Sequence, residues 1–176
     1  MMRPRPVRCA VAAAAFATAL CSVQACGRPS DEAAIHELIT ESVARAEKKD
    51  ASGLMEFFDA EYVDFQGRDR AGTLRLITDY LDRYRGVVIH LLGVRVGAVG
   101  PDGRASVDCE VSLSHGAAEV LRRLIRYTGE YYRFRFDLRK TGPVEWRFTF
   151  AEWQSIGLPE LFPESLDVLK KLFPGL

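Results

Sequence analysis

The sequence predicts an α+β domain whose N-terminal helices pack on one face of an antiparallel sheet. Two observations carry this prediction. Apolar residues recur at helical spacing from residue 31 to residue 84, and after Arg85-Gly86 the pattern switches to alternation. Helices that precede a sheet with one apolar face must bury their stripes against that face.

The elements follow in order. Ser30 can cap a helix whose first turn carries Asp31 and Glu32, charges that suit the positive end of a helix dipole. Ile35, Leu38, Ile39, Val43 and Ala46 form its apolar stripe, and Lys48 and Lys49 close it. A short helix is expected from Ser52 to Phe58, then a loop, AEYVDFQGRDR. A third helix, 71–84, puts Leu74, Ile77, Leu81 and Tyr84 on one face. In the first strand Val88, His90, Leu92, Val94 and Val96 share a side. After the turn VGPDGR, Val107, Cys109, Val111 and Leu113 do the same in the second. A helical interlude, AAEVLRRLIR, separates these from a hairpin. There Tyr132, Phe134, Phe136 and Leu138 on one strand, and Val144, Trp146, Phe148 and Phe150 on the next, point inward. Arg133, Arg135, Arg139 and Arg147 share the outer face with Asp137 and Glu145, the arrangement expected of cross-strand ion pairs. A short C-terminal helix within 157–176 brings Leu166, Leu169, Leu172 and Phe173 together.

The N-terminus supplies an address. MMRPRPVR holds three arginines and no acid, and the following run is uncharged as far as Arg28. A basic stretch, an apolar stretch shorter than a membrane span and small residues at its end read as an export signal. Val23-Gln24-Ala25-Cys26 resembles a bacterial lipobox, which implies cleavage after Ala25 and lipid on the Cys26 sulfur. The domain plan is therefore a signal at 1–25, a tether at 26–31, the folded domain at 32–156 and a helical extension at 157–176. The expected location is the bacterial cell envelope, held to the membrane through Cys26. In a Gram-negative host, Gly27 in place of an acid favours the outer membrane, facing the periplasm.

Three of the 24 basic residues lie in the signal and none of the 24 acids does, so the mature chain is slightly acidic, which argues against nucleic-acid binding. Of four cysteines only Cys109 is then left free, too few for an internal disulfide or a set of thiolate zinc ligands. His36, His90 and His115 show no close pairing, so no metal or other cofactor is expected.

The run from Asp50 to Tyr84, with the closing W-x-x-x-x-A-x-W strand from Trp146 to Trp153, is similar to the nuclear transport factor 2-like superfamily. That group includes polyketide cyclase-like and ketosteroid isomerase-like proteins, and the resemblance is strongest to its bacterial lipoproteins. It implies a cone, a curved sheet wrapped around a long helix, with a pocket at the wide end. In the inward phases derived above, His90, Glu130, Tyr132, Trp146 and Glu152 are candidates to line that pocket. A carboxylate on an apolar wall has its pKa raised by desolvation, as a general base requires. Tyr62 and Asp64 match, in residue type only, the tyrosine and aspartate that some members use. Each candidate has a structural alternative: Glu130 and Glu152 as strand-end residues in solvent, His90 as a hydrogen-bonded core residue, Asp64 as a turn residue, the aromatics as core. The expected function is binding of a small apolar ligand, or of a protein partner or a second copy. The alternative is a cofactor-free isomerase, cyclase or dehydratase using a buried carboxylate.

Overall fold

The computed structural model describes residues 29–115, 130–157 and 160. Three helices, α1 (Asp31–Glu47), α2 (Ala51–Leu54) and α3 (Arg70–Asp82), accompany five strands: β1 (Phe58–Asp64), β2 (Val87–Val96), β3 (Arg104–His115), β4 (Glu130–Lys140) and β5 (Trp146–Ile156). The α+β class holds. The export signal, Cys26, the interlude with Arg122, Arg123 and Arg126, and the helical stripe of the C-terminal extension lie outside the described residues.

Local chemistry sets the helix ends. The Ser30 side chain accepts from the Ala33 N–H at 3.2 Å, as the cap reading requires. Asp50 caps α2 through the Gly53 N–H, and Asp69 caps α3 through the Gly72 N–H. Lys49 turns the chain out of α1 with φ of 60°, and its ammonium is held by the Tyr84 carbonyl.

The sheet order is β1-β5-β4-β3-β2, and β2 to β5 are antiparallel as expected. The fifth strand was not expected. The segment read as a loop is β1, which joins the sheet edge parallel to β5, so the sheet is mixed. Its burial pattern is irregular because an edge strand has only one neighbour and a partly solvated face.

Two bulges change which residues face the helices. On β2, Leu91 is opposite Val111 but Gly93 is opposite Glu110, so Leu92 is an extra residue. On β5, Phe150 is opposite Asp137 but Phe148 is opposite Leu138, so Thr149 is extra. Each insertion reverses the alternation beyond it. Ile35, Leu38, Val107, Leu138, Trp146 and Phe148 anchor a closely packed core at the end of the sheet where α1 begins.

On the outer face one cross-strand ion pair forms as expected, with Glu110 rather than Asp137 or Glu145 as the acid, and two other arginines turn to the β1 side. Arg133 pairs with Glu110 at 3.1 Å, Arg139 with Asp59 at 2.7 Å, and Arg147 donates to the Glu56 carbonyl. The neighbours Arg139 and Arg147 both need the negative charge that β1 delivers through Asp59.

Candidate functional site: an apolar cavity with two polar ends

Between α1, α3 and the sheet lies a cavity of about 480 Å³. Its walls come from the registers just described. The second half of α1 supplies Ile39, Val43 and Ala46, while β3 and β4 supply Cys109, Val111, Leu113, Phe134 and Phe136. Beyond the bulge of β5 the wall is Ala151 and Trp153. The same residue types that make a core elsewhere surround open space here. A concave, aromatic-rich space with few polar groups is the usual form of a small-molecule site.

Polar atoms reach the cavity at two ends. At one, the turn after β1 is built on Asp64. Its carboxylate accepts from the Gln66 and Arg68 N–H groups at 2.9 Å each and from Arg68 Nε at 2.6 Å. Gly67, with φ of 77°, allows that turn. Burial alone would raise the Asp64 pKa, but these donors outweigh it and hold the group below its ordinary value. Arg68 so fixed lies over the Trp153 ring, 5.3 Å from its centroid, and lines the cavity. Tyr62 is buried beside it, where burial pushes its hydroxyl up to about 12. The Thr73 hydroxyl adjoins Tyr62 without full hydrogen-bond geometry.

The other end is aromatic. Tyr80 of α3 and Tyr132 of β4 line the cavity. The Tyr80 hydroxyl is 3.2 Å from His115 Nε2, and the His115 ring is stacked on Tyr84 with centroids 3.6 Å apart. Tyr132 donates to the Glu130 carboxylate at 2.9 Å. Burial first, and then Glu130, raises the Tyr132 pKa to about 12.

The sequence candidates therefore separate. Tyr62 and Tyr132 line the cavity. Asp64 is an ionised turn anchor and not a desolvated base. His90 turns away, because the cavity-facing residues of β2 before its bulge are Val87, Ile89 and Leu91. Glu152 is exposed on the outer face opposite Arg135, because the Thr149 bulge gives the inward phase to Ala151 and Trp153. Trp146 is buried in the packed core outside the cavity lining. Glu130 is exposed and acts through Tyr132. Tyr80 and His115 were missed as site residues. The spacing of Tyr80 after Ile77 and before Tyr84 puts it on the α3 stripe, and His115 continues the inward phase of Cys109, Val111 and Leu113.

Solved structures share this arrangement of helices and sheet. One is a Caulobacter vibrioides protein described as uncharacterized with a cystatin-like fold: 15% identity, TM-score 0.58, covering 81% of this chain and 99% of that one. Another is an NTF2-like protein with a cystatin-like fold from Novosphingobium aromaticivorans: 22% identity, TM-score 0.55, covering 73% and 83%. The chain has the nuclear transport factor 2-like fold. A third structure with that fold, a candidate dehydratase of the NTF2-like family from Streptomyces avermitilis, is 16% identical with a TM-score of 0.55, covering 70% and 94%. No protein-family model and no curated protein matches the sequence. Within this fold the cavity lies between α1, α3 and the inner face of the sheet.

Proposed function

We propose that this chain is a cell-envelope lipoprotein, anchored through Cys26, whose cone binds a small and mainly apolar molecule. The observation that carries the binding reading is the cavity of about 480 Å³ walled by aliphatic and aromatic side chains. Phe134 and Phe136 stack at 5.7 Å along one wall, and Phe136 meets Phe148 at 4.8 Å, so the wall is a continuous aromatic surface. The carboxylates at its margin, Asp64 and Glu130, are engaged by Arg68 and Tyr132.

Native mass spectrometry of the protein purified from its own envelope tests the binding reading. A retained apolar small molecule, lost when Phe136→Arg fills the cavity, is the expected result. A clean protein that also takes up no apolar probe overturns it. The anchor is tested separately: Cys26→Ser should move the chain from the membrane to the soluble fraction.

A second reading, a cofactor-free dehydratase or isomerase, is favoured by the Tyr80–His115 hydrogen bond at the cavity wall and by the likeness to a candidate dehydratase. It would use that hydrogen-bonded pair in place of a buried carboxylate. Turnover abolished by Tyr80→Phe, with ligand binding retained, would establish it.

A further inference from the structure

Resting on the ligand-binding reading, we infer that the tyrosine end of the cavity is a recognition site for an alcohol group, with Tyr80 as hydrogen-bond donor and Tyr132 as acceptor. The argument begins with His115. Its Nε2 is 3.2 Å from the Tyr80 oxygen, while its Nδ1 is buried without a partner. The shared proton can sit on either atom, and the surrounding network decides the assignment. If Tyr80 donated to Nε2, neutral His115 would carry its proton on Nδ1 and bury an N–H with nothing to receive it. With Nδ1 left as the bare acceptor nitrogen, the ring's single N–H is instead the one that has a partner. The proton therefore resides on Nε2, which donates to the Tyr80 oxygen. The Tyr80 hydroxyl hydrogen is then left to find an acceptor, and Tyr80 lines the cavity. Stacking on Tyr84 holds the His115 ring in the plane this bond requires.

Tyr132 is set the opposite way. Its hydrogen is committed to Glu130 at 2.9 Å, so its oxygen presents lone pairs. Tyr80 and Tyr132 both line this cavity, together with Val87 and Leu113 of the neighbouring strands, so the two hydroxyls bound one space. A donor beside an acceptor, at the end of an apolar cavity, complements a group that both accepts and donates. An alcohol does so. A carboxylate cannot donate to Tyr132 and meets the Glu130 charge behind it. A hydrocarbon leaves both positions unanswered.

The test uses three probes of one shape with the full-length chain at pH 8: 2-naphthylmethanol, 2-naphthoate and 2-methylnaphthalene. Binding is followed through the fluorescence of Trp153 in the cavity wall. The alcohol should bind about tenfold more tightly than the hydrocarbon, as two net hydrogen bonds allow. Tyr80→Phe and Tyr132→Phe should each remove most of that preference, with the hydrocarbon still bound at least as tightly as by wild type. The retained hydrocarbon affinity also shows that the variants are folded. Equal binding of all three probes overturns the alcohol site and leaves the cavity reading standing. Tightest binding of the carboxylate overturns it in favour of an anion site. Failure of all three to bind overturns the cavity reading, and this inference with it.

Discussion

The role of Asp64 is decided by the sign of a pH dependence. Asp64 is 3% exposed and its two oxygens accept three hydrogen bonds, so Asp64→Ala orphans two backbone N–H groups and takes the carboxylate from Arg68, which keeps only its bond to the Gln66 side chain. An orphaned buried group costs about 1–3 kcal/mol, and breaking a buried ion pair costs about 3–5 kcal/mol. The Arg68 side chain keeps 27% of its exposure, so water recovers part of this. The expected loss is about 2–4 kcal/mol, or roughly 5–15 °C in Tm for a domain of this size. Asp64→Asn keeps an acceptor for the two N–H groups and removes only the charge, so about 1–2 kcal/mol is expected.

The pH profile follows from the lowered pKa of the folded state. As pH falls, the unfolded chain takes up its proton first, near the ordinary aspartate value of about 3.9. The stabilisation is complete above that value and disappears as pH falls through the lower folded value. Urea unfolding of wild type and Asp64→Asn at pH 7 and pH 3 should therefore show a deficit that shrinks on acidification. A desolvated base has the opposite sign: its raised folded pKa gives stability at low pH that is lost as pH rises. A deficit that grows on acidification, or one below about 0.5 kcal/mol at pH 7, would refute the anchor role.

Leu138 is 1% exposed in the packed end of the core, so Leu138→Ala should cost about 2–5 kcal/mol in chemical denaturation. A loss under 1 kcal/mol would mean that this end is not close-packed. Glu152 is exposed on the outer face, so Glu152→Gln should change stability by less than about 0.5 kcal/mol and leave probe affinity unchanged. Any large effect on binding would return it to the cavity. Burial pushes the Cys109 thiol up to about 12. At pH 8 a thiol reagent should modify it at least about a hundredfold more slowly in the native protein than in urea, and more slowly still with a probe bound. Immediate modification, read at this residue by mass spectrometry, would show the cavity wall to be open.

The helices and the inward faces of β3 and β4 were legible because their apolar periods run unbroken. The cap at Ser30, the stripe from Ile35 to Ala46 and the series from Tyr132 to Leu138 are where pattern alone places them. What pattern could not supply was a single inserted residue. Leu92 and Thr149 are ordinary strand formers, and nothing in their identity marks them as extra. Yet they decide that His90 and Glu152 face away from the cavity and that Trp153 faces it. The strand β1 was hidden for a different reason. Asp59, Glu61 and Asp64 give it the composition of a loop, and their role appears only once Arg139 and Arg68 are seen beside them. The tyrosine end of the site has the same character. Tyr80 and His115 are 35 positions apart and meet only when α3 packs beside the end of β3.

The ion pair between Asp31 and Lys140 ties the first turn of α1 to the end of β4. It lies where Ala105, Leu138 and Trp146 fill the interior, while the cavity begins along the second half of the same helix. Any pull transmitted through the residues before Ser30 thus enters the solid end of the molecule. The ion pair joins that end of α1 directly to β4 beside its turn into β5. The fold thus sets its filled interior and its hollow at opposite halves of one helix, so the side chains that fix the first turn of α1 are not those that wall the cavity.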